Sequence, residues 1–159
     1  MFQLFNKKII CKLYSPVLGK MIPLEEVKDK VFAEKMMGDG VAFIPEDNTI
    51  YAPCNGKIVM IASTKHAIGI ITDNQIEILI HIGMDSVNLN GEGFEPLLKV
   101  GDKVKKHDPI LKLDWNLMKE RHIDLTTPLI ITNGNNYEMK KTEIGEVNKM
   151  TEIITLVKR

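Results

Sequence analysis

Cysteine is nearly absent from this sequence, tryptophan occurs once, and neither sign of charge prevails. The two cysteines, Cys11 and Cys54, make no CxxC pair and are too few for a disulfide framework. They read as reduced thiols that pack as small hydrophobes. Lysine plus arginine equals aspartate plus glutamate at 21 each, so no basic field exists to hold nucleic acid. Long apolar runs are missing as well. Phe2, Leu4 and Phe5 precede Lys7 and Lys8, and the next apolar pair, Ile9 and Ile10, is followed by Cys11 and Lys12. That is too short for the apolar region of a secretory signal, and nothing later approaches the ~20 residues of a membrane span. A cytoplasmic protein without stable membrane insertion is the expectation.

What the chain has is β-pattern. At 159 residues it is long enough for one domain with its own core. Residues 1–8 are expected to form a loose leader and residues 9–159 a single domain. Short apolar runs rich in Val and Ile alternate with turns of Gly, Asp, Asn and Pro, which indicates an all-β sandwich or barrel. An internal echo divides it. Ser15-Pro16-Val17-Leu18-Gly19-Lys20-Met21-Ile22 is matched by Ala52-Pro53-Cys54-Asn55-Gly56-Lys57-Ile58-Val59, and Val100-Gly101-Asp102-Lys103-Val104 by Ile144-Gly145-Glu146-Val147. Helix is scarce. The best candidate is Asp114–His122, with Asp114 or Asn116 as cap; Glu25–Asp29 is at most one turn, and Pro128 restarts extended structure.

The clearest alternation runs from Gln75 to Asp85. Ile76, Ile78, Ile80 and Ile82 fall on one face, and Glu77, Leu79 and His81 on the other, which predicts a half-buried strand. Thr64–Thr72 is a second strand-like run, and Asp73-Asn74 between them can close a tight turn. A two-residue loop sets His66 opposite His81, Thr64 opposite Gly83 and Ile68 opposite Leu79, all on one side of the ladder. Directly opposed Cβ atoms lie ~5 Å apart, close enough for two imidazoles to share a small ligand. A three-residue loop breaks this register and separates the histidines.

Four further strings occur in order. They are Val31-Phe32-Ala33-Glu34-Lys35-Met36-Met37-Gly38-Asp39-Gly40, Thr64-Lys65-His66-Ala67, Ile80-His81-Ile82-Gly83-Met84-Asp85 and Gly91-Glu92-Gly93-Phe94. As an ordered set they resemble the glucose-family IIA domain of the bacterial phosphoenolpyruvate-dependent sugar phosphotransferase system, from about Ser15 to the last residue. The resemblance implies an antiparallel β-sandwich built from a duplicated motif, with a few short helical turns. It also implies a phosphocarrier. His81 would take a phosphoryl group on Nε2 from the phosphocarrier HPr and pass it to a cysteine on the IIB domain of a glucose-type sugar permease. His66 would stabilise the phosphoryl oxygens, Thr64 would orient His66, and a backbone carbonyl near Gly83 would hold the proton on Nδ1 of His81. Docking would use the apolar residues Val31, Phe32, Ile68, Leu79 and Val87, rimmed by Asp29 and Asp85, which would meet a basic residue on HPr. No cofactor is implied and no metal is required, although His66 and His81 can hold zinc adventitiously or with a partner. The unit is expected to act as a monomer. Ala62, Ile68, Leu79 and Ile82 stand where better-known relatives carry phenylalanine.

Two other classes compete. A zinc hydrolase would use His66 and His81 but needs a third ligand and a general base, and no HExxH is present. A biotin- or lipoate-carrying module would present Lys140 of Glu138-Met139-Lys140-Lys141 on a turn. The remaining histidines read as surface groups, His107 in a solvated turn and His122 at a helix end.

Overall fold

The computed structural model describes residues 8–159. Residues 1–7 of the expected leader lie outside that range. Lys8 lies inside it, and its carbonyl accepts from the Lys158 backbone N–H at 3.0 Å.

The first half of the chain folds into β1 (Ile9–Tyr14), β2 (Gly19–Pro23), β3 (Asp39–Pro45), β4 (Thr49–Tyr51), β5 (Gly56–Ile61), β6 (Ala67–Ile71) and β7 (Glu77–His81). The second half supplies β8 (Phe94–Pro96), β9 (Lys103–Val104), β10 (Pro109–Leu113), β11 (Thr127–Ile131), β12 (Tyr137–Lys141), β13 (Gly145–Val147) and β14 (Glu152–Lys158). These build an eight-stranded sheet, ordered β13-β2-β3-β11-β7-β6-β5-β9, and two three-stranded sheets, β1-β14-β12 and β4-β10-β8. Pairing is antiparallel at every described ladder.

The main core lies on one face of the large sheet. Val41, Phe43, Ile68, Ile70, Ile78, Ile80, Leu129 and Ile131 pack there with Leu13, Ile110, Leu111, Ile153 and Leu156 of the smaller sheets. The four isoleucines of the alternating run are all buried, as expected, and each contributes ~1.5–3 kcal/mol by leaving water. Cys54 belongs to this core and Cys11 packs against it. Both are free thiols, and burial pushes their pKa values up to about 12 and about 11 respectively.

The internal echo acquires a spatial meaning. Read inward from either end, the large sheet runs β13-β2-β3-β11 and β9-β5-β6-β7. The echoed segments supply β2 and β5, and β13 and β9. Their registers agree too, with Gly19 opposite Val147 and Gly56 opposite Val104.

The β6–β7 hairpin departs from expectation by one residue. Its loop has three residues, Asp73, Asn74 and Gln75: the Gln75 N–H donates to the Thr72 carbonyl at 2.9 Å, and Gln75 follows with φ 68°. A turn followed by a left-handed residue is the usual three-residue hairpin solution. Ala67 therefore opposes His81, Ile68 opposes Ile80 and Gly69 opposes Leu79. Because a one-residue slip reverses every side chain, Ile68 points into the main core, not toward His81.

Two short α-helices form among the described residues. In α1 (Lys30–Ala33) the Asp29 carboxylate accepts from the Val31 N–H, and in α2 (Trp115–Glu120) the Asp114 carboxylate accepts from the Leu117 N–H. The second was expected over Asp114–His122 with Asp114 or Asn116 as cap; Asp114 is the cap, and the helix ends at Glu120. The first was not, because a run as short as Lys30–Ala33 carries too few turns to show helical periodicity. Of the turn expected over Glu25–Asp29 only the first two residues are helical, in a 3-10 turn over Leu24–Glu26. Lys140 sits within β12 opposite Thr155, so it is not at the turn tip that a biotin or lipoate carrier needs. No helix among the described residues is long and apolar enough to cross a membrane.

Candidate functional site

A second, smaller apolar cluster covers the outer face of the large sheet. Ala42 of β3 and Ile130 of β11 meet Leu24, Val27, Phe32 and Met84 there, with Ile22 and Leu79 packed alongside. His81, the last residue of β7, shares this face with Leu79. Its ring lies against the Phe32 ring, centroids 4.8 Å apart and planes inclined at 52°.

His66 reaches His81 by a route the hairpin arithmetic does not contain. It stands one residue before β6, just after Lys65, whose φ is 62°. There the alternation of the ladder no longer dictates the side-chain direction. Its carbonyl still accepts from the Ile82 N–H at 2.7 Å, which ties the segment to the end of β7. The two imidazoles come to 4.9 Å between centroids with planes at 82°. The register slips, and the pair survives.

Thr64 lies within the same turn. Its hydroxyl is 2.6 Å from Nδ1 of His66. With Thr64 donating, Nε2 of His66 carries the hydrogen and can donate to an anion. Gly83, two residues beyond His81, has φ 83°. A Cβ there would stand 3.1 Å from the Asp124 carbonyl oxygen and 3.1 Å from Cβ of Ser86. Both the conformation and the space therefore call for glycine. The loop is further held by the Met84 N–H on the Asp124 carbonyl at 2.8 Å and the Ser86 hydroxyl on the Ile82 carbonyl at 2.5 Å.

Burial holds the pKa of His81 below its ordinary value, and the neighbouring His66 pushes it the same way. The Gly83 backbone and the Asp29 carboxylate pull in the opposite direction. The Gly83 contact stops short of hydrogen-bond geometry: Nδ1 of His81 is buried with no partner among the described residues. Burial also lowers His66. Both shifts favour the neutral imidazole; the lone pair of His66 is then engaged by Thr64, and that of His81 is free to act as a nucleophile.

The expected docking residues divide. Val31 is 39% exposed and Val87 47% exposed, and both suit an interface. Leu79 is half-buried in the outer cluster. Ile68 and Phe32 are corrections, being 1% and 4% exposed. The first is turned inward by the register, and the second packs from α1 onto Ala42 and Ile130 of the sheet. Asp29 and Asp85 are exposed, and both line a cavity of about 500 Å³ beside the site with Lys28, Asn88, His122 and Asp124.

Val59 and Met60 escaped the sequence reading. They are 45% and 37% exposed and line an apolar groove with Gly69 and Leu79. An irregularity between Ile58 and Met60 turns both outward, which strict alternation conceals. His107 differs from expectation as well. It is half-buried, its Nδ1–H donates to the Lys149 carbonyl at 2.6 Å, and its ring meets Tyr14 edge-on at 4.8 Å.

No three His, Cys, Asp or Glu side chains group to hold a metal among the described residues. His66 and His81 offer two nitrogens, which leaves a hydrolytic zinc site short of a ligand. What the arrangement offers is a neutral nucleophilic nitrogen, a donor beside it and apolar surface around both.

The family model described as phosphoenolpyruvate-dependent sugar phosphotransferase system, EIIA 1, matches residues 11–137. Among solved structures, the chain is similar to the glucose permease IIA from Mycoplasma capricolum, with 36% identity and a TM-score of 0.86. That alignment covers 93% of this chain and 96% of the other.

Proposed function

Because the chain belongs to the EIIA 1 family of the phosphoenolpyruvate-dependent sugar phosphotransferase system, we propose that it relays phosphoryl groups through His81 to a glucose-type sugar permease. The donor is phospho-HPr and the acceptor is a cysteine of the IIB domain. The observation that carries this reading is the imidazole pair, 4.9 Å between centroids, with the Thr64 hydroxyl 2.6 Å from His66.

In the loading step the lone pair on Nε2 of His81 attacks phosphorus. The P–N bond to the HPr histidine breaks and returns its electron pair to that ring, while a P–N bond forms on His81. The proton on Nδ1 of His81 stays in place, near the Gly83 backbone. His66, with Thr64 behind it, donates to a phosphoryl oxygen as charge shifts. In the unloading step a IIB thiolate attacks phosphorus, a P–S bond forms, and the electron pair returns to Nε2. No water, nucleotide or cofactor enters the balance. Val31, Val87, Leu79 and the groove at Val59 and Met60 give both partners apolar surface to dock on, with Asp29 and Asp85 at its rim. The protein works as a cytoplasmic monomer, with residues 9–159 as the carrier domain.

Labelled phospho-HPr tests the relay. Wild type and His66→Gln take up label, since the glutamine amide keeps an N–H donor. His81→Ala folds and takes none. On adding IIB, the His66→Gln protein releases its label more slowly, on the order of 10²–10³-fold, because an amide donor cannot become cationic or relay a proton as charge returns to His81. Acid-labile, base-stable label on His81→Ala sinks the assignment, and wild-type release from His66→Gln makes His66 a bystander.

A further inference from the structure

Among the described residues no hydrogen bond of full geometry holds Nδ1 of the His81 imidazole, although the Gly83 backbone acts on the ring. Nδ1 is buried and unpartnered among the described residues, and the second torsion of a histidine is broad, with no sharp well of its own. The ring is nonetheless enclosed. His66 stands across it at 4.9 Å with planes at 82°, and Phe32 lies against it at 4.8 Å with planes at 52°. Phe32 is itself firmly held. It is 4% exposed and belongs to the outer cluster with Leu24, Val27, Ala42, Met84 and Ile130. Its helical turn is capped by Asp29 and closed by the Ala33 N–H on the Asp29 carbonyl at 3.0 Å. A residue this enclosed has little surface to give a partner, yet it faces the group that reacts.

We propose that Phe32 is a positioning residue for His81, a fixed aromatic wall that, with His66, sets the imidazole plane so that Nδ1 stays buried and Nε2 is the nitrogen offered to the donor. This rests on the reading of His81 as phosphoryl acceptor. A partner-docking role and a positioning role make opposite kinetic predictions. Loss of a docking contact raises KM for phospho-HPr. Loss of ring alignment lowers kcat at saturating donor and leaves KM alone, because the nucleophile spends less time aligned with phosphorus.

Phe32→Leu keeps apolar volume and removes the flat ring; Phe32→Met serves the same purpose if the leucine variant does not fold. Leu24→Ala is the control, since it loosens the same cluster at a residue that has no ring to set against His81. Rapid-quench transfer from phospho-HPr should show kcat falling roughly 10- to 100-fold in the Phe32 variant, with KM within about twofold of wild type. The Leu24 variant should keep its kcat. By NMR, the His81 titration midpoint in the unphosphorylated Phe32 variant should move up toward the ordinary value as water reaches the ring. A raised KM with unchanged kcat makes Phe32 a docking residue and overturns the proposal, as does an equal loss of kcat in Leu24→Ala. If wild-type protein takes no phosphate, the acceptor reading fails instead. The His81 titration then decides alone, and an unmoved midpoint in the Phe32 variant overturns the positioning role.

Discussion

His81 and His66 are lowered in pKa mainly by burial, and the sign of the consequence can be worked out. The unfolded chain holds these protons up to the ordinary pKa of about 6.5, whereas the folded chain releases them at lower pH. Their contribution to stability is therefore complete above about 6.5 and is lost as pH falls through the lowered folded values. NMR titration should find both midpoints below about 6.5. The urea midpoint of His81→Ala should fall less than that of wild type between pH ~7.5 and ~5.5. A midpoint for His81 above the ordinary value would show that the Asp29 and Gly83 contributions outweigh burial. Gly83 gives a second test at this scale. Gly83→Ala forces a Cβ to within 3.1 Å of the Asp124 carbonyl oxygen at φ 83°. It should cost ~1–3 kcal/mol by chemical denaturation, and a cost near zero would show that the loop relaxes freely.

The hairpin shows what a sequence discloses about an element and what it withholds. The burial of Ile76, Ile78, Ile80 and Ile82 is legible because alternation over a strand has a single meaning. The loop length is not, since Gln75 carries no mark of its left-handed backbone. From that one residue the difference extends to Ile68, whose inward turn removes it from the face it was expected to share with His81. The histidine pair survived for a reason outside the ladder, namely that His66 precedes β6 in a turn. Phe32 was visible as a member of a string but not as the ring beneath His81, because that contact joins α1 to the end of β7. Two variants separate the faces. Ile68→Ala should cost ~2–5 kcal/mol, as core truncations do. Val87→Ala should stay within ~0.5 kcal/mol of wild type while raising KM for phospho-HPr. Equal effects on stability would mean that the two residues share one environment.

At the scale of the whole molecule, the duplication explains why the site exists only once. The large sheet repeats its strand pattern about the β7–β11 pair. Only one half carries Thr64, His66 and His81, gathered where β6 begins and β7 ends. The echo that revealed the duplication lies in β2, β5, β9 and β13, strands that build the scaffold but hold none of these three residues. The fold was therefore legible from repeated turns, and the chemistry from short strings placed on it. Their meeting at 4.9 Å required the three-dimensional path. The claim that this meeting exists to carry phosphate on one nitrogen has a direct measurement. Protein labelled with 15N in its histidines, loaded from phospho-HPr and examined by 31P–15N correlation, should show phosphorus coupled to Nε2 of His81, with both His66 nitrogens free. Phosphorus on Nδ1 of His81, or on either nitrogen of His66, would contradict the account.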